Sequence, residues 1–210
     1  CTAATRVLVQ EGIYKRFTEA FLKEVARVRV GDPSSMKTDM GPLISKEQRE
    51  RVEGFVKRAK GKVLAGGSRP SGLDHGWFYS PTVVADPAID SEIMQKEVFG
   101  PVVCLRSFKD EADAVAQANA VPYGLASSVW TLNVQKAMRM AGAIRAGTVW
   151  VNDHLPLCSE MPHGGVKQSG FGKDLSRYAF DEYTVVKHVM LETTGAARKP
   201  WHYTAIGDPA

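Results

Sequence analysis

The sequence contains few cysteines and no long apolar run. Three cysteines in 210 residues cannot form a complete disulfide framework, which favours a reducing compartment and leads us to expect a cytoplasmic protein. Every apolar run falls short of the roughly 20 residues that cross a bilayer, and no charged and apolar leader precedes the first predicted strand. We therefore expect neither a membrane partner nor a targeting leader.

A strong excess of one charge is also missing. The 27 Lys and Arg residues against 23 Asp and Glu residues leave a net charge of +4. Basic and acidic residues alternate, as in residues 46–51, which predicts a solvated helix surface and no nucleic-acid partner. The chain has no intact GxGxxG or Walker sequence. His154, Cys158 and His163 lack the paired CxxC or HxxxH spacing of metal ligands, so we expect no metal site.

Strand and helix patterns alternate along the first 152 residues. Strands are predicted from β-branched or continuous apolar runs, and helices from apolar stripes that recur every three or four residues. Such alternation predicts an α/β fold, a layered sheet with flanking helices. The predicted strands are 5–10, 62–65, 78–84, 102–105, 126–131 and 148–152. Pro81 lies inside the strand 78–84 and favours an edge position or a bend there. The predicted helices are one at about 13–28, one opened by a Ser45/Gln48 capping box, one capped by Asp110 that runs to about residue 119, and one with the stripe 134, 138, 141 and 144.

After residue 158 the pattern changes. Closely spaced glycines predict a turn-rich crossing rather than a helical core. Residues 183–190 then form a β-prone run without a local hairpin partner, and such a strand is expected to pair with another chain. The polar tail 193–210 offers Trp201 and Tyr203 as anchors on a neighbouring surface.

Each cysteine has its own candidate role. Cys1 is a potential nucleophile, because a thiolate activated by a helix N-terminus or a nearby cation attacks carbonyl carbon readily. The alternative is a small apolar side chain of no chemical role. Cys104 lies within an apolar strand and is interpreted as a core residue. Cys158 lies in a loop, where a pocket wall and an inert position are equally open.

Two further segments suggest binding sites. Glu97 and Phe99 project to the same side of an extended segment, so that a carboxylate able to accept two ribose hydroxyls lies beside a flat apolar ring. The alternative, which the residues alone favour, is an acid at a strand entrance and a core phenylalanine. The segment 152–157 follows the carboxyl end of a strand, where α/β sheets place ligands, and Leu155 and Leu157 are candidates for lining an apolar pocket.

Four motifs stand out along the chain. They are Cys1-Thr2-Ala3-Ala4-Thr5-Arg6, Glu97-Val98-Phe99-Gly100-Pro101-Val102, Tyr123-Gly124-Leu125-Ala126 and Pro162-His163-Gly164-Gly165-Val166-Lys167-Gln168-Ser169-Gly170. Together they resemble the NAD(P)-dependent aldehyde dehydrogenase superfamily, in the order in which that superfamily has them. The resemblance covers residues 1 to about 191. Residues 159–165 and 183–190 look most like the aminobutyraldehyde dehydrogenase branch, close to the betaine aldehyde enzymes.

The resemblance implies a role for each motif. Cys1 matches the cysteine that attacks the aldehyde to form a thiohemiacetal, which loses hydride to the nicotinamide and leaves a thioester for water to hydrolyse. Glu97 matches the carboxylate that holds the nicotinamide ribose, and Phe99 the ring beside it. NAD is the expected cofactor, with NADP as the alternative.

The aldehyde pocket is implied in the same way. The loop that walls the aldehyde tunnel would supply Asn152, His154, Leu155, Leu157 and Cys158, and His163 stands where many members carry an aromatic residue. The tryptophan that precedes the double glycine in the family is absent here, and leucine replaces the loop cysteine of the betaine enzymes. Both departures favour a primary aminoaldehyde, such as 4-aminobutyraldehyde, over betaine aldehyde as the small aldehyde substrate.

The resemblance also divides the chain. Residues 1–168 would be the catalytic domain, 169–182 a crossover toward an absent cofactor domain, 183–192 an oligomerisation strand joining a homo-dimer or homo-tetramer, and 193–210 a tail. The general base, the oxyanion-hole residue and most of the cofactor domain would precede Cys1, so we expect these 210 residues alone to lack dehydrogenase activity. Two other classes stay open: an amidohydrolase whose maturation exposes Cys1 with its own amine as base, and a non-catalytic oligomerisation module.

Overall fold

The computed structural model describes residues 1–199 and 201–202. Within this part of the chain, no helix is both long and apolar enough to cross a membrane. The strands are β1 (Arg6–Gln10), β2 (Lys62–Ala65), β3 (Thr82–Ala85), β4 (Val102–Phe108), β5 (Tyr123–Gly124), β6 (Ala126–Val129), β7 (Thr148–Val151) and β8 (Val166–Lys167). The helices are α1 (Glu11–Val25), α2 (Lys46–Arg58), α3 (Glu92–Gln95), α4 (Glu111–Asn119), α5 (Val134–Ala143) and α6 (Tyr178–Tyr183).

The main sheet has the order β1-β4-β3-β2 and is mixed. β1, β4 and β3 run parallel, whereas β2 pairs with β3 antiparallel. All four residues of β3 are buried, and so are Val102, Cys104 and Leu105 of β4, as expected for interior strands covered on both faces. The expected α/β fold, a layered sheet with flanking helices, is confirmed.

Helix α2 covers this sheet and supplies much of its core. Val52, Phe55 and Val56 pack with Val84 of β3 and Cys104 of β4. The side chain of Ser45 caps the helix by accepting a hydrogen bond from the backbone N–H of Gln48 at 3.2 Å. The predicted cap is therefore confirmed, but the Gln48 side chain does not return to Ser45 and binds elsewhere, as described below.

Two further sheets, each of two strands, lie outside the main sheet. β6 and β7 are parallel, with Ala126 opposite Thr148 and Val129 opposite Val151. Helix α5 precedes β7, and the side chain of Asn133 caps it by accepting a hydrogen bond from Lys136 N at 2.9 Å. β5 and β8 form a short antiparallel pair beside them.

Two local predictions are wrong. The strand predicted at 78–84 begins only at Thr82 and lies inside the sheet, because Pro81 has no N–H for the ladder and precedes the strand instead of interrupting it. Residues 46–51 are not a uniformly solvated surface, since Arg49 is buried, donates to Gly76 O at 3.1 Å and lies over the Trp77 ring. The helix predicted at about 13–28 is confirmed as α1 (Glu11–Val25), although none of its residues is buried.

The carboxyl-terminal region forms no strand in the described part of this chain. Tyr183, predicted to open a strand, is instead the last residue of α6. Residues 184–191 follow without pairing to any described segment, and Val185 and Val186 are 91% and 87% exposed. Pairing of this segment with another chain stays a prediction. Trp201 is described and exposed, whereas Tyr203 and the rest of the predicted tail anchor lie outside the described residues.

Candidate active site

The candidate nucleophile and the candidate ribose-binding loop lie at the same edge of the main sheet. β1 and β4 are adjacent and parallel, with Arg6 opposite Cys104. Cys1 stands five residues before Arg6, and Phe99 stands five residues before Cys104. Because neighbouring parallel strands share their amino-terminal edge, the two segments enter the sheet side by side.

The cysteines differ in environment. Cys1 is an exposed free thiol, and Cys158 is also exposed, in a turn where its carbonyl accepts a hydrogen bond from Met161 N at 3.2 Å. Cys104 is buried in β4, and this burial raises the pKa of its thiol to about 11. Cys104 is therefore a neutral core side chain, as predicted, and reactive thiolate chemistry is left to the exposed cysteines.

The loop that carries Glu97 and Phe99 rests on α2. Gln48 Nε2 donates to the carbonyls of Val98 and Phe99 at 3.2 and 2.7 Å, and Arg51 donates to those of Val98 and Glu97 at 2.5 and 2.6 Å. The Glu97 carboxylate is exposed. Phe99 adopts φ 58° and is 57% exposed. The alternative that Phe99 fills the core is thus wrong, since its ring faces outward.

The loop after β7 begins with two unusual backbone conformations. Asn152 adopts φ 54° and Leu155 φ 81°, in the left-handed region that costs a non-glycine residue of order 1–3 kcal/mol. The Asn152 side chain compensates by accepting from Thr131 N at 2.8 Å and donating to Thr131 O at 2.9 Å. Asn152 therefore acts in this chain as the anchor that ends β7 beside β6.

His154 connects this loop to the residue that follows Cys1. Its Nε2 lies 2.7 Å from the carbonyl oxygen of Thr2, across 152 positions of sequence. A carbonyl can only accept, so Nε2 carries the proton. The ring meets Trp150 edge-on at 5.0 Å between centroids, and Trp150 Nε1 donates to Pro156 O at 2.8 Å. The loop thereby folds back over β7 and reaches the start of β1.

The remaining predicted pocket residues are less closely associated. His163 Nδ1 lies 3.3 Å from Thr148 Oγ1 at the start of β7, and its backbone pairs with Asp174. Leu155 and Leu157 are 53% and 54% exposed, so they line an open surface in this chain. Thr148 and Trp150 are two residues apart in β7, so their side chains lie on the same face of this strand. His163 and His154, which contact these two side chains, therefore lie along that face.

One open groove lies away from most of the predicted site. It has a volume of about 830 Å³, runs between β1 and β6, and is overlaid by Ile13 and Phe17 of α1. Of the predicted site residues, all of which the structure describes, only His154 lines it. In the same described ranges, no group of three or more His, Cys, Asp or Glu side chains is arranged to hold a metal ion.

Sequence reasoning did not identify three residues that shape the site. Gln48 and Arg51 bind the loop of Glu97, and Trp150 holds His154. The available signal was spacing alone: residues three apart on a helix share a face. Nothing in the local pattern showed that this face meets a loop rather than water.

Comparison with known proteins agrees with this architecture. The fold superposes on the solved betaine aldehyde dehydrogenase of Staphylococcus aureus in complex with NAD+ with a TM-score of 0.88 and 36% identity, over 95% of this chain and 41% of that one. The α/β fold is therefore an aldehyde dehydrogenase fold. The chain belongs to the aldehyde dehydrogenase family, whose family-wide pattern matches residues 1–189.

Two relatives show which members of the family this chain resembles. The chain is 41% identical over 202 residues to the betaine aldehyde dehydrogenase of Bacillus subtilis, covering 94% of this chain and 41% of that protein. It is 38% identical over 204 residues to the chloroplastic aminoaldehyde dehydrogenase of Arabidopsis thaliana, covering 96% of this chain and 40% of that protein. The chain thus spans about two fifths of the length of these relatives.

Proposed function

We propose that this chain is the catalytic part of an enzyme that oxidises a small aldehyde to its carboxylic acid with NAD, or with NADP as the alternative. The observation that carries the proposal is that Cys1 is exposed. The carbonyl of the next residue, Thr2, is hydrogen-bonded to His154 in the loop after β7. Membership of the aldehyde dehydrogenase family supports this use of the cysteine. The proposed substrate is 4-aminobutyraldehyde or a related aminoaldehyde.

Cys1 performs the covalent chemistry in this proposal. Its thiolate sulfur bonds to the carbonyl carbon of the aldehyde, and the oxygen takes up a proton to give a thiohemiacetal. When bound, the nicotinamide cofactor would supply the acceptor for the hydride lost from that carbon, and the hydroxyl proton would return to solvent as the thioester carbonyl forms. Water then adds to the resulting thioester, the sulfur–carbon bond breaks, the carboxylic acid leaves and the Cys1 thiol is restored.

Glu97 and Phe99 are proposed to hold the cofactor ribose. A carboxylate accepts two hydroxyl hydrogen bonds, and the outward Phe99 ring offers a flat apolar surface next to it. Both side chains lie on a loop that α2 holds by its carbonyls, which leaves the side chains free to bind. The chemistry of these residues fits a nicotinamide ribose.

The loop 152–158 and His163 are proposed to receive the aldehyde. Leu155 and Leu157 present apolar surface suited to a short alkyl chain, and Cys158 lies at the far end of the same loop. His154 binds the backbone beside Cys1, so this loop lies against the segment that carries the nucleophile. The 38% identity to an aminoaldehyde dehydrogenase supports the substrate class.

The domain and assembly assignments are part of the same proposal. Residues 1–168 form the catalytic domain, 169–182 cross toward a cofactor domain, and 183–192 pair with another subunit to build a homo-dimer or homo-tetramer. Residues 184–191 carry exposed apolar side chains and lack a described strand partner, which supports pairing. The two-fifths coverage of the relatives supports a longer parent protein.

Steady-state oxidation of 4-aminobutyraldehyde by the full-length protein, followed by NADH absorbance, tests this function. Cys1→Ala is expected to abolish turnover, because in this proposal the Cys1 sulfur forms the thiohemiacetal. Met36→Ala, at a side chain that is 98% exposed and far along the chain, is the control and should keep wild-type rates. Full activity of Cys1→Ala would refute the catalytic role and favour a non-catalytic module.

Two further measurements separate the alternatives. Residues 1–210 expressed alone are expected to form no NADH, and turnover by that chain would refute the need for a missing cofactor domain. Mass spectrometry of the expressed precursor addresses the amidohydrolase. Cleavage before Cys1 during maturation would favour that enzyme class, whereas an uncleaved longer chain supports the dehydrogenase.

A further inference from the structure

The backbone that follows Cys1 reaches the fold through two main-chain carbonyls. The first is that of Thr2, which accepts a hydrogen bond from His154 Nε2 at 2.7 Å. The second is that of Thr5, which accepts from Cys104 N at 2.9 Å, where the ladder with β4 begins. Within the described residues, the bond from His154 is thus the hydrogen bond nearest to Cys1 along the chain. The segment of the nucleophile therefore depends on a side chain from the loop after β7.

The residues between these two carbonyls add little attachment of their own. Ala3 and Ala4 carry only methyl groups, which neither donate nor accept hydrogen bonds. Residues 3–5 are exposed, whereas Thr2 is half-buried. His154 lines the same groove as this segment. Without the His154 bond, the segment would be held only where the sheet begins, in the part of the chain that the structure describes.

The His154 side chain is itself held in one orientation. Its ring meets Trp150 edge-on, with 5.0 Å between centroids and 66° between planes. Its backbone N–H donates to Asp153 Oδ1 at 2.8 Å. Among the described residues, its Nδ1 is buried and has no hydrogen-bond partner, which leaves the bond to Thr2 as the polar contact of the ring. A substrate that used the Nε2 proton would have to displace the Thr2 carbonyl.

We propose that His154 is a positioning residue, which holds the Thr2 carbonyl and thereby fixes Cys1 against the loop 152–158. This inference rests on the proposed function, because the attachment has this purpose only if Cys1 attacks an aldehyde that the loop receives. His154 then acts through the backbone beside the nucleophile and does not contact the aldehyde.

The need for such an attachment follows from the topology. Cys1 precedes β1 of the main sheet, whereas the loop 152–158 follows β7, which belongs to a different sheet. Attack on a carbonyl requires the two reacting atoms to lie about 3–3.5 Å apart, and a misplacement of about 1 Å can cost a factor of about 100 in rate. A direct hydrogen bond between the two segments keeps their spacing constant. Its loss should slow the attack by Cys1 and leave cofactor binding unchanged.

The test compares two substitutions at His154 in the full-length protein, by kcat/KM for 4-aminobutyraldehyde at saturating NAD. His154→Phe keeps a ring to meet Trp150 but removes the donor, and is expected to lower kcat/KM about tenfold or more. His154→Gln loses the ring but carries an amide donor close to the place of Nε2, and is expected to stay within about threefold of wild type. A role of the ring in packing alone predicts the opposite order.

Two further readouts should stay constant in His154→Phe. The Kd for NAD, from isothermal titration calorimetry without aldehyde, should remain within about twofold of wild type, because an interaction made only during the reaction leaves ground-state binding intact. Alkylation of Cys1 by iodoacetamide should also change less than about twofold, since an exposed thiol needs no fixed partner to meet a diffusing reagent. Cys158, also exposed, is the reference thiol in the same sample, by peptide mass spectrometry.

The matched control is the same substitution at another histidine. His75 is exposed and lies between β2 and β3, so His75→Phe should match wild type in all three measurements. Wild-type kcat/KM in His154→Phe would overturn the proposal, and so would equal losses in His154→Phe and His154→Gln. Alkylation of Cys1 that falls in parallel with kcat/KM would also overturn it, because His154 would then act on the reactivity of the thiol.

The outcomes distinguish this inference from the proposed function. If the wild-type protein does not oxidise the aldehyde, or Cys1→Ala keeps its activity, the proposed function fails and this inference falls with it. If turnover depends on Cys1 and His154→Phe equals wild type, only this inference fails. Should His154→Phe not fold, His154→Asn decides the question, because its shorter amide cannot reach the Thr2 carbonyl. It should lose activity, and activity equal to that of His154→Gln would overturn the proposal.

Discussion

Replacing Gly147 with alanine would drive two backbones apart just before β7. A Cβ built at Gly147 stands 1.6 Å from the carbonyl oxygen of Gly164 and 2.8 Å from its carbonyl carbon. Both atoms belong to the backbone and cannot rotate away. Gly147 does not lie in the left-handed region, so the cost of an added methyl is one of contact and not of backbone dihedral.

The expected magnitude follows from the distance. Real Cβ atoms essentially never approach within 3.0 Å, so the Gly164 backbone must retreat by at least about 1.4 Å. Overpacking a core costs about 1–3 kcal/mol. Because a fixed backbone atom is the obstacle, we expect Gly147→Ala to lose about 3 kcal/mol of unfolding free energy. For a domain of 150–250 residues this corresponds to a fall in Tm of about 6–12 °C.

Urea unfolding of wild type and variant measures the loss. Gly142→Ala is a matched control: Gly142 lies within α5, no atom stands within 4 Å of its added Cβ, and alanine favours the helix by about 0.5–1 kcal/mol. The two substitutions should therefore have opposite signs. A Gly147→Ala protein as stable as wild type would refute the packing argument, because the turn of Gly164 would then not be held against Gly147.

Three further predictions concern stability and assembly. Ser45→Ala should lower the unfolding free energy in urea by about 1 kcal/mol, since it removes the side-chain acceptor of the α2 cap. Burial raises the pKa of Cys104 to about 11, so the unfolded thiol ionises first as pH rises. Stability should be constant below the ordinary thiol pKa and decline by about 2–3 kcal/mol between that value and pH 11, as urea midpoints would show. If residues 183–192 pair with another subunit as proposed, Val186→Pro should dissociate the proposed oligomer in size-exclusion chromatography with light scattering, because a proline removes a backbone donor needed for strand pairing.

Each of these has a control and a contrary result. Ser45→Thr retains a hydroxyl acceptor and should keep most of the stability lost in Ser45→Ala. Cys104→Ala should abolish the alkaline decline, and an equal decline in both proteins would show that other groups cause it. Val186→Thr keeps the backbone N–H and should remain oligomeric. An oligomer that survives Val186→Pro would argue against assembly through residues 183–192, which stays a prediction together with the cytoplasmic location.

Local periodicity accounts for the part of the fold that could be predicted from the sequence. The apolar run at 102–105 became an interior strand, and the hydroxyl and carboxylate of Ser45 and Asp110 cap α2 and α4 as predicted. These features depend on neighbours within one turn or one strand, so the chain carries them in its local pattern. Pro81 shows the limit of prediction from the local pattern. The strand that follows it, β3, lies inside the sheet because β4 and β2 pair with it on both sides.

Long-range contacts to backbone atoms were beyond prediction. Gln48, Arg49 and Arg51 look like one solvated surface in the sequence, yet two of them bind the loop of Glu97 and one is buried. The bond between His154 and the Thr2 carbonyl joins residues 152 positions apart and leaves no periodic trace. A backbone carbonyl has the same chemistry in every residue, so no residue type reveals which one will be bound.

The sequence by itself thus determined the order of six strands and four helices in the first 152 residues, the burial of Cys104 and, through four motifs, the family to which the chain belongs. Only the tertiary structure decided that Phe99 faces outward, that α2 holds its loop and that His154 reaches the start of β1. The physical reason is that element order and burial follow from side-chain patterns along the chain. The geometry of a site follows from which distant backbones the folded core brings into contact.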